Sequence, residues 1–221
     1  MNKTKLNVKG ILFDLDGTIV DSKEAYLEAA RTAFQATGQD MPEPRTALEI
    51  PKRLEQQLPL SDIVKGDLQS FLDVYLKRYY AVTMEKTKPF PNMQNALTKL
   101  SRKARLALIT MRFVPKAAVV KELEHFNLAG YFAHVVTALG THKPKPSPEA
   151  LIKAVKALDV DICACLIVGD SVSDVRAGKA AGALTVAVLS GLFSREELAR
   201  ENPDLIIENV TQLPDYVDFV G

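Results

Sequence analysis

Short apolar runs alternate with helix-period segments along most of the chain, and this alternation constrains the fold more than any other feature of the sequence. The runs that predict strands are 8–13, 105–109, 134–137, 165–168, 184–188 and 204–207. The helix-period segments that lie between them are 92–101, 115–126, 147–158 and 173–181. Strands that alternate with helices favour a parallel sheet with right-handed crossovers. The predicted fold class is therefore α/β, a Rossmann-like parallel sheet with helices on both faces.

Residues 21–88 interrupt this alternation. Helical patterns cover 22–37, 50–58 and 61–80, and no convincing strand pattern occurs among them. Proline-containing stretches punctuate the segment, as expected where helices begin and end. The sequence therefore predicts a small all-helical domain at 21–88, inserted after the first strand of an α/β core that is formed by residues 1–20 and 89–221.

The composition argues against several classes of partner. The chain has 221 residues, of which 47% are apolar and 25% charged, so it can bury a substantial core. Its 28 basic and 27 acidic residues nearly cancel, which gives no general attraction to nucleic acid or to an anionic membrane. Two cysteines are too few for a disulfide framework, which favours a reducing compartment. We expect a cytoplasmic protein without nucleic-acid or membrane partners.

Polar residues follow three of the predicted strands. Asp14, Thr110 and Asp170 each come where an apolar run ends. Parallel strands bring their carboxyl ends to one edge of the sheet, and open α/β sheets bind ligands at that edge. An acid, a hydroxyl and a second acid are therefore predicted to meet there.

Two pairs of acids are candidates for metal binding. Asp14 and Asp16 follow the first strand, and Asp170 and Asp174 follow a later one. Each pair alone could simply end a strand or face solvent. Together they suit a hard cation with oxygen ligands, above all Mg²⁺. The sequence offers no Cys/His group that would select a softer metal.

Lys145 lies in a loop with prolines at 144, 146 and 148. Proline restricts its own backbone and that of the residue before it, so the loop can hold the lysine in place. The loop can equally be a solvated linker into the next helix, with Ser147 as its cap. Both roles are compatible.

Four motifs in this sequence resemble those of the haloacid dehalogenase superfamily, and they occur in the family's order. The first is the segment 14–22, the second is 108–110, the third is 145–148 and the fourth is 169–174. The helical insertion after the first motif is similar to the cap of the subgroup that contains phosphoglycolate phosphatases and β-phosphoglucomutases. The resemblance covers nearly the whole chain.

The resemblance implies a mechanism for phosphoryl transfer. Asp14 is then the nucleophile that forms an aspartyl-phosphate, and Asp16 is the general acid and base. Asp14, Asp170 and the backbone carbonyl of Asp16 are the implied Mg²⁺ ligands. Thr110 and Lys145 are the implied ligands of the phosphoryl oxygens.

Three further residues receive roles from the resemblance. Asp174 is expected to orient Lys145 or a metal-bound water. Met111 stands where relatives often carry Asn or Ser, and it is expected to offer its backbone N–H to the phosphate. Arg53 lies in the predicted cap, where relatives carry a specificity loop, and it is predicted to bind substrate, although a solvated helix face also explains it.

The leading hypothesis is a Mg²⁺-dependent phosphatase that hydrolyses a small phosphorylated metabolite, for which phosphoglycolate is one candidate. A phosphosugar mutase on the same scaffold is an alternative. A catalytically idle binding or regulatory protein is a third, against which the joint presence of Asp14, Asp16, Lys145 and Asp170 argues. We expect a monomer or a homodimer.

Overall fold

A parallel sheet organises the larger of the two units into which the chain divides. The computed structural model describes residues 5–219. One unit contains residues 5–20 and 89–219, and the other contains residues 21–88. Each unit has its own hydrophobic core.

In the larger unit, a six-stranded sheet has the order β6-β5-β2-β7-β8-β9, and every neighbouring pair is parallel. Its strands are β2 (Gly10–Phe13), β5 (Arg105–Thr110), β6 (His134–Thr137), β7 (Cys165–Gly169), β8 (Leu184–Val188) and β9 (Leu205–Ile207). Each strand coincides with a predicted run to within two residues, and the predicted α/β class is confirmed.

Helices cover both faces of this sheet. They are α5 (Met93–Ser101), α6 (Lys116–His125), α7 (Glu149–Leu158), α8 (Val172–Ala181) and the shorter α9 (Arg195–Arg200). Short 3-10 helices occur at Ala129–Tyr131, Ala138–Gly140, Ile162–Ala164 and Val210–Asp215.

Side chains of β2 alternate between the two faces, as they must in an extended strand. Ile11 and Phe13 belong to the cluster that includes buried residues of α5 and α6. Leu12 belongs to the cluster that includes buried residues of α7 and α8. Because β2 is central and buried on both sides, its carboxyl end is held firmly where the first acid motif begins.

The first predicted strand is divided in the structure. Residues Leu6–Val8 form β1, which pairs with β10 (Val217–Phe219) in a separate two-stranded sheet. The central strand β2 begins only after Lys9. Both segments are extended, so the sequence pattern alone did not show that the pairing partner changes between them.

The unit of residues 21–88 is helical. Its helices are α1 (Lys23–Ala36), α2 (Pro44–Ala47), α3 (Glu49–Glu55) and α4 (Leu68–Lys86). Phe34 of α1 makes an edge-to-face contact with Phe71 of α4, which in turn stacks on Tyr75. Two short strands, β3 (Val20–Asp21) and β4 (Lys88–Pro89), pair with each other where the chain enters and leaves this unit.

The prediction of a helix over 61–80 was wrong at both ends. Residues before Gly66 form turns, and Gly66 has a positive φ of 74°. Asp67 is the N-cap of α4, because its side chain accepts hydrogen bonds from the backbone N–H groups of Gln69 and Ser70. The helix therefore begins at Leu68 and continues to Lys86.

Among the described residues, no helix combines the length and apolar character needed to cross a membrane.

Close packing of α8 on the sheet gives a prediction about stability. A Cβ atom at Gly178 would lie 2.3 Å from Ile167 Cγ2 and 2.6 Å from Thr185 Cγ2. We expect Gly178→Ala to lower the free energy of unfolding by about 1–3 kcal/mol, because overpacking outweighs the helix propensity of alanine. Urea denaturation measures this change.

Gly130→Ala is the matched control, because no heavy atom lies within 4 Å of a Cβ at that position. Its stability should equal or slightly exceed that of the wild type. Equal stability of Gly178→Ala and the wild type would contradict the packing described for α8.

Candidate active site

Three strands of the sheet end side by side and place their polar residues at one edge. Asp14 follows β2, Thr110 ends β5, and Asp170 follows β7. All three residues are buried. The backbone N–H of Asp14 donates to Val168 O at 2.9 Å, which keeps β2 and β7 paired up to the site. The structure thus brings together the residues that the strand ends predicted to meet.

Lys145 lies between two of the acids. Its Nζ is 2.6 Å from Asp14 Oδ1 and 2.5 Å from Asp174 Oδ1, and its side chain is only 1% exposed. A buried ammonium group needs such partners, because desolvation of an unpaired charge is costly. The loop before α7 therefore delivers Lys145 into the site.

The first turn of α8 fixes Asp174. Ser171 is the N-cap of this helix and forms a capping box with Asp174, in which each side chain bonds the other's backbone N–H. The hydroxyl of Ser171 also donates to Asp174 Oδ2 at 2.7 Å. One carboxylate oxygen of Asp174 thus holds the helix start, and the other contacts Lys145.

Asp170 is held from two sides. Thr18 Oγ1 donates to Asp170 Oδ1 at 3.2 Å, and the backbone N–H of Leu192 donates to Oδ2 at 3.3 Å. Leu192 belongs to the loop after β8. Ser190 in the same loop donates to Gly17 O at 2.6 Å, which ties that loop to the first acid motif.

The carboxylates of this site carry more negative charge than Lys145 can balance. Asp14, Asp170 and Asp174 each offer an oxygen within 4.8 Å of the others. Burial raises the pKa of Asp14 well above its usual range, Lys145 opposes this rise, and the neighbouring carboxylates add to it. Three buried carboxylates beside one ammonium group suit a divalent cation with oxygen ligands, and these residues fit Mg²⁺.

The carboxylate of Asp16 faces a different partner. Arg112 Nε lies 2.8 Å from Asp16 Oδ2, and Arg112 Nη2 lies 2.6 Å from Asp16 Oδ1. On its other side, Arg112 Nη1 lies 2.5 Å from Glu122 Oε2. The implied part of Asp16 in metal binding uses its backbone carbonyl, and that role stays a prediction.

The sequence did not identify Arg112 or Glu122. Arg112 follows the second motif in what reads as a loop, where an arginine usually faces solvent. A signal was nevertheless present in α6, because Glu122 falls on the same helix face as the buried Val119 and Leu123. An acid on an apolar face predicts a buried cation nearby.

Two further predicted site residues stay predictions. Met111 is half-buried and directly follows Thr110 at the end of β5. Arg53 belongs to the helical unit, where its Nη1 is 2.6 Å from Asp62 Oδ1 and 3.2 Å from Pro59 O. These contacts lie within its own unit.

Comparisons with known proteins agree with this geometry. Residues 11–188 match the family of haloacid dehalogenase-like hydrolases. A phosphoglycolate phosphatase of Pseudomonas syringae pv. tomato is 31% identical, with 93% of this chain and 78% of that protein covered. A protein of Clostridium perfringens that is named provisionally as a pyrophosphatase is 29% identical, with 96% of this chain and 98% of that protein covered.

A solved structure shows the same fold. The haloacid dehalogenase-like family hydrolase of Streptococcus pneumoniae superposes with a TM-score of 0.79 at 20% identity, with 98% of this chain and 99% of that chain covered. The chain belongs to the haloacid dehalogenase-like hydrolases. It is an enzyme of the phosphatase class, so the predicted family and enzyme class are confirmed.

The loop after β8 contacts Asp170, and this contact leads to a prediction about the candidate metal site. A Cβ atom at Gly191 would lie 1.7 Å from Asp170 Oδ2, so any side chain there must displace the acid. We expect Gly191→Ala to reduce phosphatase activity by about 10–100-fold and to raise the Mg²⁺ concentration needed for half-maximal rate. Initial rates over a Mg²⁺ titration measure both effects.

The matched control is Gly140→Ala, because a Cβ there meets no heavy atom within 4 Å. It should keep the wild-type rate and Mg²⁺ dependence. An unchanged Mg²⁺ titration for Gly191→Ala would show that the position of Asp170 does not matter for metal use.

Proposed function

We propose that this enzyme hydrolyses a small phosphate monoester in two steps, with Mg²⁺ bound and with a phosphoryl group carried transiently by Asp14. The observation that supports this proposal most strongly is the buried cluster at the sheet edge. Asp14 Oδ1 lies 2.6 Å from the ammonium group of Lys145, among carboxylates that leave a surplus of negative charge. A phosphate ester brought there with a divalent cation would meet a nucleophile, a positively charged side chain and a hydroxyl together.

In the first step, a carboxylate oxygen of Asp14 attacks phosphorus, and the bond from phosphorus to the ester oxygen breaks. Asp16 gives its proton to the departing oxygen, which leaves as an alcohol. Lys145 and Thr110 hydrogen-bond the phosphoryl oxygens while the charge redistributes. The product of this step is an aspartyl-phosphate and a free alcohol.

In the second step, Asp16 takes a proton from water, and the water oxygen attacks phosphorus. The bond between phosphorus and Asp14 breaks, so inorganic phosphate leaves and Asp14 is restored. Asp16 ends this step protonated, ready for the next substrate.

The cation site consists of Asp14 and Asp170, with the backbone carbonyl of Asp16 as a further ligand and Asp174 nearby. Mg²⁺ bound there supplies positive charge to the phosphoryl oxygens and offsets repulsion between the acids. Asp174 keeps Lys145 directed at Asp14, because Lys145 Nζ contacts both acids.

The named relatives support hydrolysis of a small metabolite. Several are phosphoglycolate phosphatases, among them proteins of Pseudomonas and Vibrio species. These names favour a phosphatase over the phosphosugar mutase that the sequence left open. Phosphoglycolate is therefore the first substrate to test, and pyrophosphate is the second, because of the Clostridium perfringens relative.

A substrate panel tests the proposal. The wild-type enzyme should release phosphate from phosphoglycolate and other small esters with Mg²⁺, and should lose this activity reversibly when EDTA removes the metal. Asp14→Asn should lower kcat by a factor on the order of 1,000 or more, because the amide cannot act as the nucleophile.

The exposed Asp215 provides a control, since Asp215→Asn makes the same chemical change away from the site. That variant should match the wild type. Turnover by Asp14→Asn within tenfold of the wild type, or full activity after exhaustive chelation, would refute the nucleophile or the metal assignment, respectively.

A further inference from the structure

Arg112 is a buried cation that the two-step scheme does not use. It lies two residues beyond the end of β5, and its side chain is only 3% exposed. Two of its partners are acids, Asp16 of the first motif and Glu122 of α6. All three residues belong to the larger unit.

Arg112 fixes the plane of the Asp16 carboxylate. Two N–H groups of one rigid guanidinium, Nε–H and Nη2–H, donate to the two oxygens of Asp16 at 2.8 Å and 2.6 Å. Such a fork sets both the position and the rotation of a carboxylate, whereas the single ammonium group of a lysine does not. The fork uses two of the roughly four acceptor sites of a carboxylate, so it is compatible with proton transfer at Asp16.

Glu122 holds the other end of the guanidinium. Its Oε2 is 2.5 Å from Arg112 Nη1, and its side chain is 3% exposed. Glu122 lies on the buried face of α6, and α6 packs beside β6 at the sheet. The guanidinium is thereby anchored to a helix on one side and directs its fork at Asp16 on the other.

Stability alone is a weak explanation for this arrangement. A buried ion pair or triad is often no more stabilising than apolar side chains of similar volume. The arrangement does, however, place a buried charged network directly behind the proposed general acid and base. Small errors in the position of a reacting group cost on the order of 100-fold in rate.

We propose that Arg112, braced by Glu122, is a positioning residue that orients Asp16 for proton transfer. This inference rests on the proposed function, in which Asp16 protonates the leaving oxygen. Loss of Arg112 then weakens catalysis most where the leaving group needs a proton. An alkyl alcohol needs one, whereas p-nitrophenolate departs readily without one.

The test compares three phosphate esters that differ in the acidity of the leaving group or in the presence of a carboxylate. Ethyl phosphate and phosphoglycolate both release an alkyl alcohol, but only the second carries a carboxylate. p-Nitrophenyl phosphate releases an acidic phenol. The variant is Arg112→Met combined with Glu122→Met, which removes Arg112 without leaving the charge of Glu122 buried alone.

We expect kcat/KM of the double variant to fall about 10–100-fold more for the two alkyl esters than for p-nitrophenyl phosphate. Ethyl phosphate and phosphoglycolate should suffer similar losses. Arg112→Lys keeps the charge without the fork, and it should show the same dependence on the leaving group. Glu122→Gln keeps an acceptor oxygen for Arg112, and it should be the mildest variant.

The same double substitution, made in an enzyme that already carries Asp16→Asn, separates positioning of Asp16 from other roles of Arg112. Once Asp16 has lost its proton-transfer function, adding Arg112→Met and Glu122→Met should change kcat/KM less than about threefold, because residues that act through one another are not additive. Circular dichroism and thermal unfolding verify that every variant is folded.

Several outcomes would overturn the inference. Equal losses for all three esters would indicate a structural role, and a loss confined to phosphoglycolate would indicate that Arg112 binds the substrate carboxylate. Wild-type kcat/KM values for Arg112→Lys would also exclude positioning of Asp16. So would a loss of kcat/KM in the Asp16→Asn background that is as large as the loss in the wild-type background. A folded wild-type enzyme that hydrolyses none of the esters would refute the proposed function itself, and the inference with it.

Discussion

The contact of Lys145 with Asp14 and Asp174 is the interaction on which the rest of the site depends. Parallel strands bring Asp14 and Asp170 to the same edge, and the capping box of α8 adds Asp174 beside them. Without a cation among them, these buried carboxylates would repel one another, and burial together with the neighbouring acids already raises the pKa of Asp14. The ammonium group of Lys145 lowers this repulsion. A divalent cation would offset the negative charge that remains and could bind together with a phosphate ester. One electrostatic requirement thus links the fold to the chemistry.

Much of the fold was predictable, because the strands of a parallel sheet are buried on both faces and read as apolar runs. The strands β6 and β8 begin and end at the predicted residues. The errors fell where pairing or capping decides the structure. The start of α4 depends on the backbone of Gly66 and the side chain of Asp67, and the apolar residues before them are buried in turns rather than in a helix.

The part of the site that lies at the strand ends was predictable, because the direction of each strand determines at which edge of the sheet its last residues lie. Asp14 and Asp170 follow strands and Thr110 ends one. Predicting that they lie together therefore required only the parallel order of the sheet. Arg112 and Glu122 depend on side-chain direction from a loop and from a helix, which no spacing rule gives. The acid on the apolar face of α6 indicates a buried partner, but it does not identify which of the chain's basic residues that partner is.

The proposed mechanism depends above all on Asp14 carrying the phosphoryl group. The most direct measurement uses Asp16→Asn with p-nitrophenyl phosphate and Mg²⁺, because this ester can lose p-nitrophenolate without a proton, whereas hydrolysis of the intermediate needs the base. After acid quench and proteolysis, mass spectrometry should find the phosphoryl group on the peptide that contains Asp14, and borohydride should reduce that residue. A stoichiometric burst of p-nitrophenolate should accompany it. A burst with Asp14 unmodified, or with the phosphoryl group on another residue, would contradict the claim.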